Sequence, residues 1–406
     1  MSTVLVINTG SSSLKYRVVD PADGSWTARG LVERIGERES RLVHEFAGHE
    51  RIETVQALPD HAAALETMLA ALAGSGISLD DLLAVGHRIV QGGAEFSDSV
   101  IVDDAVEAAI DALSPLAPLH NPASVLGIRE LRRLLPNVPH VAVFDTAFHS
   151  TMPPEAYTYA IPVDVARQND IRRYGFHGTS YRYVTRRSAA LLGVPEGDAN
   201  LIICHLGNGA SMAAIKGGVS VDTTMGLTPL QGLVMGTRSG DIDPAAVFHL
   251  VRHGGMSLDE VDALLNRQSG LKGLAGDQDM REVRRRAGEG DASARAALDV
   301  YAYRIRSYVG AYLAVVPGVQ ALVFTAGIGE NDAALRREVC EPLRHLGFHL
   351  DPELNDAPSP EPRCVDDGTG SVRILVVPTD EEAEIARESA AAVGAGIRRE
   401  RPGDTP

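Results

Sequence analysis

Three short segments rich in glycine and small polar residues each follow an apolar run, and their residue types could bind a phosphate group. The first, residues 8–15, combines Gly10 with three serine hydroxyls and ends in the charge of Lys15. It is not a P-loop, because the GxxxxGK[ST] pattern is absent and a strand, rather than a helix, is expected to follow. A serine-rich hairpin turn explains the same residues equally well.

The other two segments offer backbone N–H groups and side-chain amides. Residues 205–211 contain Asn208, which can donate to a phosphate, and Gly209, which lets backbone approach a ligand closely. An Asn-Gly hairpin turn is the competing interpretation. Residues 327–331 precede a predicted helix, whose N-terminus could bind a phosphate. Taken together, the three segments suggest a nucleotide held between two halves of the chain.

Two arginines lie among glycines and other small residues. Arg88, in GHRIVQGG, could present its planar guanidinium to a carboxylate or a phosphate. Arg238, in MGTRSGDIDP, is a candidate cation for a phosphoryl group in transfer. For both residues, a solvated surface arginine is the competing hypothesis.

Further polar candidates stand at predicted element ends. His177, before a predicted helix, could hydrogen-bond an anionic oxygen, cap the helix or carry a phosphoryl group. Asp145, after an apolar run, could be catalytic, orient an arginine or cap the strand. The carboxylates of residues 380–382 precede the last predicted helix, a position that favours acidic residues for structural reasons alone.

These candidates depend on short apolar strands that alternate with helices. Strands are predicted at residues 4–7, 141–144, 201–204, 321–324 and 374–377. Helices are predicted at residues 62–72, 123–135, 180–192, 292–313, 332–346 and 382–393. The strands lack alternation, which is typical of strands buried on both faces, so the pattern predicts an α/β fold with covered sheets.

Two pairs of segments resemble each other across the chain. Residues 4–10 resemble residues 201–207, and residues 141–145 resemble residues 321–325. An internal duplication explains both pairs. The alternative is that buried strands share the same residue types without common origin.

The composition limits the partners that the protein could bind. The 406 residues include 54 Asp plus Glu against 38 Lys plus Arg, a net charge of −16, which repels nucleic acid and anionic lipid. No apolar run is long enough for a membrane span, and the first residues lack the features of a signal peptide. The three cysteines form no metal-binding pattern. We therefore expect a cytoplasmic protein that binds neither nucleic acid nor membrane.

The segments described above form an ordered series that resembles the acetokinase (acetate kinase) family. The series is VLVINTGSSSLKY, GHRIVQGG, FDTAFH, RRYGFHGTS, HLGNGAS, DTTMGLTPLQGLVMGTRSGDIDP, FTAGIGEND and PTDEE. The resemblance covers nearly the whole chain, and the sixth segment is the most specific. It implies a duplicated actin-like (ribonuclease H-like) α/β fold of two domains, with the nucleotide in the interdomain cleft.

The domain boundaries expected from this fold are as follows. Residues 1–150 form an N-terminal actin-like domain, which the C-terminal helix at about residues 380–396 completes. Residues 151–379 form the nucleotide-binding actin-like domain, and residues 397–406 form a frayed tail.

The resemblance implies an enzyme that reversibly transfers the ATP γ-phosphoryl group to acetate, with Mg²⁺, or alternatively Mn²⁺, as cofactor. It also implies a homodimer. Acetate is ionised at neutral pH, because carboxyl pKa values lie near about 4, so we expect direct in-line attack and a role for Asp145 in orienting a cationic group or the metal shell. Alternatives are transfer through a phosphoenzyme, a propionate or butyrate kinase of the same fold, and a non-enzymatic actin-like nucleotide switch.

The resemblance also assigns roles to individual residues. The catalytic positions are Asp145, His177, Arg238 and Arg88, and Arg88 also binds the substrate carboxylate. The acyl pocket is assigned to Val90, Leu119 and Pro229, and the metal to Asn8 and Glu381, with Glu382 as the alternative to Glu381. The predicted nucleotide-binding residues are Lys15, His205, Leu206, Gly207, Asn208, Gly209, Asp279, Met280, Arg281, Gly327, Ile328, Gly329, Glu330 and Asn331.

Four positions depart from the most frequent family pattern. Thr9, Gln91, Gln231 and Asp380 stand where Ala, His, Glu and Asn are frequent. None of them has an assigned chemical role. Asp380 adds a charge beside the metal candidate and could therefore change the affinity for the metal.

Overall fold

The computed structural model describes residues 3–400, except for the side chains of residues 397–400. The chain divides into two compact units. The first unit contains the residues up to Phe148 together with those from Asp380 onward, and the second contains His149–Thr379. Each unit has its own β-sheet.

The strands and helices follow one another in both units. The strands are β1 (Val4–Thr9), β2 (Ser13–Val19), β3 (Trp26–Glu33), β4 (Ser40–Phe46), β5 (Ile52–Gln56), β6 (Ala84–Ile89), β7 (Val100–Ile101), β8 (His140–Phe144), β9 (Leu201–Leu206), β10 (Ala210–Lys216), β11 (Val219–Thr223), β12 (Ala321–Thr325), β13 (Arg363–Cys364) and β14 (Arg373–Val376). The helices are α1 (His61–Gly74), α2 (Asp104–Ala112), α3 (Asn121–Leu134), α4 (Pro154–Tyr157), α5 (Val163–Gln168), α6 (Gly178–Leu192), α7 (Pro244–Arg252), α8 (Leu258–Arg267), α9 (Gly270–Ala275), α10 (Met280–Gly288), α11 (Ala292–Val315), α12 (Ala326–Asn331), α13 (Ala333–Cys340), α14 (Pro352–Asp356) and α15 (Glu381–Glu400).

The sheet of the first unit has the order β5-β4-β3-β2-β1-β6-β8-β7. Strand β1 pairs antiparallel with β2 and parallel with β6, and β6 pairs parallel with β8. Because β1, β6 and β8 run in the same direction, their carboxyl ends meet at one edge of the sheet. Residues that follow these three strands are therefore neighbours.

Strand β1 is buried on both faces, as its unbroken apolar run predicts. Leu5 and Ile7 pack into a cluster with residues of α1, such as Met68. Val4 and Val6 face the other way and pack against α15, for example on Ile385. The last helix of the chain thus covers the strand with which the chain begins.

The sheet of the second unit has the order β11-β10-β9-β12-β14-β13. Strand β9 pairs antiparallel with β10 and parallel with β12, and β12 pairs parallel with β14. Every residue of β9 and of β12 is buried. This is the arrangement of β1, β2, β6 and β8 in the first unit.

If the chain arose by duplication, segments with similar sequences should occupy equivalent positions in the two sheets, and the sheet orders test this. Strands β1 and β9 occupy equivalent positions, so the similarity of residues 4–10 and 201–207 agrees with the topology. The predicted equivalence of residues 141–145 and 321–325 is wrong. Strand β12 occupies the position of β6, and the counterpart of β8 is β14. Strands buried on both faces share residue types wherever they lie in a sheet, and this misled the comparison.

Most predicted elements are present, but three predictions need correction. Residues 332–346 are not one helix: α13 is followed by a 3₁₀ segment, Glu341–Leu346, with a proline in its first turn. Residues 327–331 do not form a loop, because they lie within the short helix α12. The last helix continues to Glu400, four residues beyond the predicted limit of 396, and residues 401–406 of the predicted tail lie outside the described residues.

None of the helices within residues 3–400 is long and apolar enough to span a lipid bilayer.

The close contact between β6 and α15 gives a stability prediction. A Cβ atom at Gly86 would lie 2.5 Å from Ser389 Oγ and 2.8 Å from Ile385 Cγ2, both on α15. We expect Gly86→Ala to lower the free energy of unfolding by about 1–3 kcal/mol, since overpacking forces α15 away from the sheet.

Gly394→Ala, in the same helix, is the matched control, because nothing lies within 4 Å of its added Cβ. It should leave the stability unchanged or raise it slightly. Denaturant unfolding monitored by circular dichroism measures both variants. Equal midpoints for the two would contradict the packing argument.

Candidate active site

Arg88, near the end of β6, is held by Asp145, directly after the neighbouring strand β8. Arg88 Nε donates to Asp145 Oδ1 at 3.0 Å, and Arg88 Nη2 donates to Asp145 Oδ2 at 2.8 Å. Such a two-point contact fixes the plane of the guanidinium. The third nitrogen, Nη1, lies 3.5 Å from Glu381 Oε2 at the start of α15. Asp145 therefore orients a cation, which is one of the roles that the sequence left open.

Burial and charge act in opposite directions on this pair. Burial lowers the pKa of Arg88, but the carboxylates of Asp145 and Glu381 outweigh it and raise that pKa above its ordinary value. Burial raises the pKa of Asp145, and Arg88 opposes this without cancelling it. Asp145 thus depends on Arg88 for its charge, and without this arginine a buried carboxylate would have lost its main cation.

Asp380, the departure from the family pattern, is neutralised by Arg17 on β2. Arg17 Nη1 donates to the two carboxylate oxygens of Asp380 at 2.7 and 2.8 Å. Asp380 Oδ1 also accepts from Ala383 N at 2.9 Å, so the residue caps the start of α15. The additional charge is therefore paired with Arg17 and takes part in capping α15, and its effect on metal affinity stays a prediction.

A small cavity in the first unit brings together the two predicted metal positions and the arginine that is predicted to bind the substrate. Its polar lining consists of Asn8, Lys15, Arg88, Glu381 and Glu382. Lys15, which was predicted to contact the nucleotide, forms an ion pair with Glu382 here.

The donors in this cavity are of the kind that Mg²⁺ prefers. Asn8, Glu381 and Glu382 supply amide and carboxylate oxygens. Within the described residues, no group of three or more His, Cys, Asp and Glu side chains could hold a metal. Asn8, an amide that such a group does not include, adds its oxygen to those of Glu381 and Glu382, and this set of oxygens suits a Mg²⁺ ion that keeps several waters.

The three residues predicted for the acyl pocket have different surroundings. Val90 directly follows β6 and is half-buried. The side chain of Leu119 is 56% exposed. Pro229 belongs to the second unit, where its carbonyl oxygen accepts from Arg238 Nη1 at 3.3 Å. Their assignment to one pocket stays a prediction.

In the second unit, Arg238 and His177 lie beside the turn between β9 and β10. A Cβ atom placed on Gly209 would lie 3.6 Å from Arg238 Nη1 and 3.6 Å from His177 Nε2. Arg238 donates to the neutral acceptors Pro229 O and Met235 Sδ, and in the described part of the chain it has no carboxylate partner. Burial lowers its pKa. A guanidinium that is not paired with a carboxylate, next to a glycine that has no side chain, is suited to bind an anionic ligand.

His177 has an unusual backbone and a fixed ring. Its φ of 61° lies in the left-handed region, which is uncommon for residues other than glycine. Its ring stacks on His205, with 4.1 Å between centroids and 20° between planes. His205 Nδ1 in turn lies 2.8 Å from Ser180 Oγ. Such over-determined geometry is typical of functional positions.

A cavity of about 780 Å³ in the second unit contains most of the predicted nucleotide-binding residues. The predicted residues that line it are Gly207, Asn208, Asp279, Met280, Arg281, Gly327, Ile328 and Asn331. Its volume lies in the range of about 300–1,000 Å³ that is common for small-molecule sites. Three segments far apart in sequence thus meet at one site.

Three other predicted nucleotide-binding residues of this unit, Leu206, Gly329 and Glu330, are not among the residues that line the cavity. Leu206 is buried, and the Glu330 carboxylate accepts from Thr379 N at 3.1 Å. Burial raises the pKa of Glu330. The carbonyl oxygens of Gly329 and Glu330 accept from Arg336 at 2.8 and 3.0 Å.

Two arginines of this region were missed from the sequence. Arg336 is only 1% exposed and clamps the end of α12. Arg284 lines the cavity and joins α10 to Asp332 at 2.7 Å and to Glu338 at 2.7 Å. Both arginines lie in helices, where an arginine side chain is usually exposed to solvent. Nothing in the sequence therefore indicated these contacts.

Comparisons with known proteins agree with the geometry of both units. A profile of the Acetokinase family matches residues 3–387. The acetate kinase of Leifsonia xyli subsp. xyli is 56% identical over 398 residues, which cover 98% of this chain and 100% of that protein. The crystal structure of Porphyromonas gingivalis acetate kinase has a TM-score of 0.92 at 41% identity and covers 97% of this chain and 100% of its own.

A propionate kinase from Francisella tularensis subsp. tularensis is also similar, with a TM-score of 0.91 at 40% identity, covering 96% of this chain and 99% of its own. The expected duplicated α/β fold is confirmed by these structures. The matches extend over nearly the whole chain at identities well above those of chance similarity. The chain therefore belongs to the acetokinase family.

Proposed function

We propose that this chain catalyses the reversible transfer of the γ-phosphoryl group of ATP to acetate, with Mg²⁺, giving acetyl phosphate and ADP. The observation that carries the proposal is the guanidinium of Arg88, which Asp145 holds by one edge in a cavity that also contains Asn8 and Glu381. In a member of the acetokinase family, a fixed guanidinium next to amide and carboxylate oxygens supplies the kinds of group that a small carboxylate and a phosphate-bound metal require.

The acetate carboxylate needs no base, because it is ionised at neutral pH. Asp145 is occupied by Nε and Nη2 of Arg88 and serves to hold the guanidinium still. Acetate then binds to donors that Asp145 leaves unused, chiefly those of Nη1. A fixed orientation of the nucleophile is a main source of rate enhancement in phosphoryl transfer.

The nucleotide binds in the large cavity of the second unit. An oxygen of acetate attacks the γ-phosphorus while the bond from that phosphorus to the bridging oxygen of ADP breaks. Arg238 and His177 donate hydrogen bonds to the phosphoryl oxygens, on which negative charge accumulates during transfer. Asn8 and Glu381 would hold Mg²⁺, which neutralises phosphate charge when it is bound.

We also propose a homodimeric state, which rests on the family resemblance alone, and a cytoplasmic location, which rests on the composition. Light scattering at several concentrations measures the first property. The mass of a single chain at every concentration would contradict it.

Arg88→Ala should raise the KM for acetate by at least about tenfold, because charge-assisted hydrogen bonds to the carboxylate are lost. The KM for ATP should change little. Initial-rate kinetics with each substrate varied in turn measures both constants. Arg129→Ala, which removes an exposed ion pair with Glu107 in the same unit, is the control and should change neither. An unchanged acetate KM in Arg88→Ala would refute the assignment.

Arg238→Ala should lower kcat roughly 10²–10³-fold, since one preorganised donor to the transferring group is removed. Stability should be maintained, because no carboxylate loses a partner. Arg252→Ala, an exposed arginine on α7, is the control. Pre-steady-state and steady-state turnover measure the effect, and a wild-type kcat in Arg238→Ala would rule out the proposed role.

The propionate kinase among the similar structures makes propionate the second candidate acceptor. One methylene group changes discrimination by only about 1–3 kcal/mol. We expect carboxylate-dependent ADP release with kcat/KM highest for acetate, lower for propionate and lowest for butyrate. A maximum at propionate would reassign the acceptor. The absence of ADP release with all three would contradict the proposed function.

A further inference from the structure

A chain of hydrogen bonds connects the interior of the second unit to Nδ1 of His177. The hydroxyl of Tyr181, on α6, lies 2.6 Å from Ser211 Oγ, on β10. Ser211 Oγ lies 2.9 Å from His177 Nδ1. The side chains of Tyr181 and Ser211 are both fully buried. Solvent therefore has no part in setting the direction of these hydrogen bonds.

The direction follows from the number of protons. Burial raises the pKa of Tyr181 well above 10, so its hydroxyl keeps its proton. Within the described residues, Ser211 Oγ is the atom with which the Tyr181 hydroxyl forms a hydrogen bond. Tyr181 must therefore donate to Ser211, because a buried hydroxyl proton without an acceptor is costly.

Ser211 has a single hydroxyl proton, and its hydrogen bond from Tyr181 leaves that proton for His177 Nδ1. The reverse direction would leave the Tyr181 proton without an acceptor. In a neutral imidazole, one nitrogen accepts and the other carries the proton. Because Nδ1 accepts, the proton of His177 lies on Nε2.

Nε2 is the nitrogen that lies beside Gly209 together with Arg238 Nη1. The stack on His205 fixes the plane of the ring, and Ser211 fixes its rotation within that plane. The two donors, Nε2–H and the guanidinium, thus flank the same open position.

We propose that Tyr181 and Ser211 are positioning residues that hold His177 in its Nε2–H tautomer, so that His177 donates to the transferring phosphoryl group beside Arg238. The target of this donor rests on the proposed function. The tautomer rests on the hydrogen bonds alone, and it can be measured without any substrate.

The first experiment reads the tautomer by NMR of protein labelled with ¹⁵N at the histidine rings, with His177 assigned from the signals lost in His177→Gln. In the wild type we expect a protonated Nε2 and an unprotonated Nδ1. Tyr181→Phe should give a mixture of the two tautomers, because Ser211 is then free to accept from Nδ1. A protonated Nδ1 in the wild type would overturn the proposal.

Tyr312→Phe is the matched control. Tyr312 is 2% exposed, belongs to the same unit, and its hydroxyl has no hydrogen-bond partner among the described residues. Its removal should leave the His177 signals and the turnover at wild-type values. If Tyr181→Phe behaved like Tyr312→Phe in both measurements, the positioning role would be wrong.

The kinetic consequence should be confined to turnover. Tyr181→Phe should lower kcat roughly 3- to 10-fold, the loss expected for one neutral hydrogen bond, with both KM values maintained. A purely structural defect would instead lower the amount of folded enzyme, which active-site titration detects. A rise in either KM with kcat unchanged would contradict the proposal.

Substitutions of His177 itself distinguish the effect of the hydrogen-bond donor at Nε2 from the effect of the left-handed backbone conformation. Glutamine places an amide nitrogen near the position of Nε2, whereas asparagine places one near Nδ1. The left-handed backbone at residue 177 favours asparagine. The proposal nevertheless predicts a higher kcat for His177→Gln than for His177→Asn, and the reverse order would overturn it.

Failure of this inference is distinguishable from failure of the proposed function. A wild-type protein with the Nε2–H tautomer but no carboxylate-dependent ADP release would support the tautomer and refute the function. Normal turnover with a protonated Nδ1 would refute the inference and leave the function intact.

Discussion

The ion pair of Arg88 and Asp145 is the interaction on which the first unit depends most directly. Parallel pairing of β6 with β8 sets Arg88 opposite Val143, two residues before Asp145. A buried carboxylate that loses its partner destabilises a protein by about 3–5 kcal/mol. The same contact that the sheet register creates, and that stability requires, also fixes the group that we propose for substrate binding. Folding and recognition are therefore coupled at this point.

The two arginines that we propose for substrate binding and phosphoryl transfer have opposite electrostatic surroundings. Arg88 is held by carboxylates, which raise its pKa, while Arg238 contacts neutral acceptors and has its pKa lowered by burial. The positive charge of Arg88 is already balanced by carboxylates that fix its position, so Arg88 can orient a bound anion without moving. The charge of Arg238 is only partly balanced, so a charge that develops nearby is strongly stabilised. This division suits a reaction in which one anion must be positioned and another must be transferred.

Secondary structure that depends on local residue patterns could be predicted from the sequence. Contacts between residues that are far apart in the chain could not. The strands β1 and β9 and the segments that follow them could be recognised, because burial on both faces leaves an unbroken apolar run. The neutralisation of Asp380 by Arg17 could not, since the partners are 363 positions apart. The glycine-rich pattern of residues 327–331 predicts a loop, whereas these residues lie in α12, whose carbonyl groups at Gly329 and Glu330 accept hydrogen bonds from Arg336. The sequence pattern of α13 does not indicate that Arg336 is buried.

The position of α15 has a consequence for the order in which the protein is made. The helix that covers Val4, Val6 and Gly86 is translated only after the whole of the second unit. One face of the first sheet must therefore remain uncovered until α15 has been made, while the second unit, which is continuous in sequence, can fold as soon as it emerges. The nascent chain thus exposes this apolar surface for the time needed to add more than two hundred residues, and exposed apolar surface of this kind favours aggregation during folding.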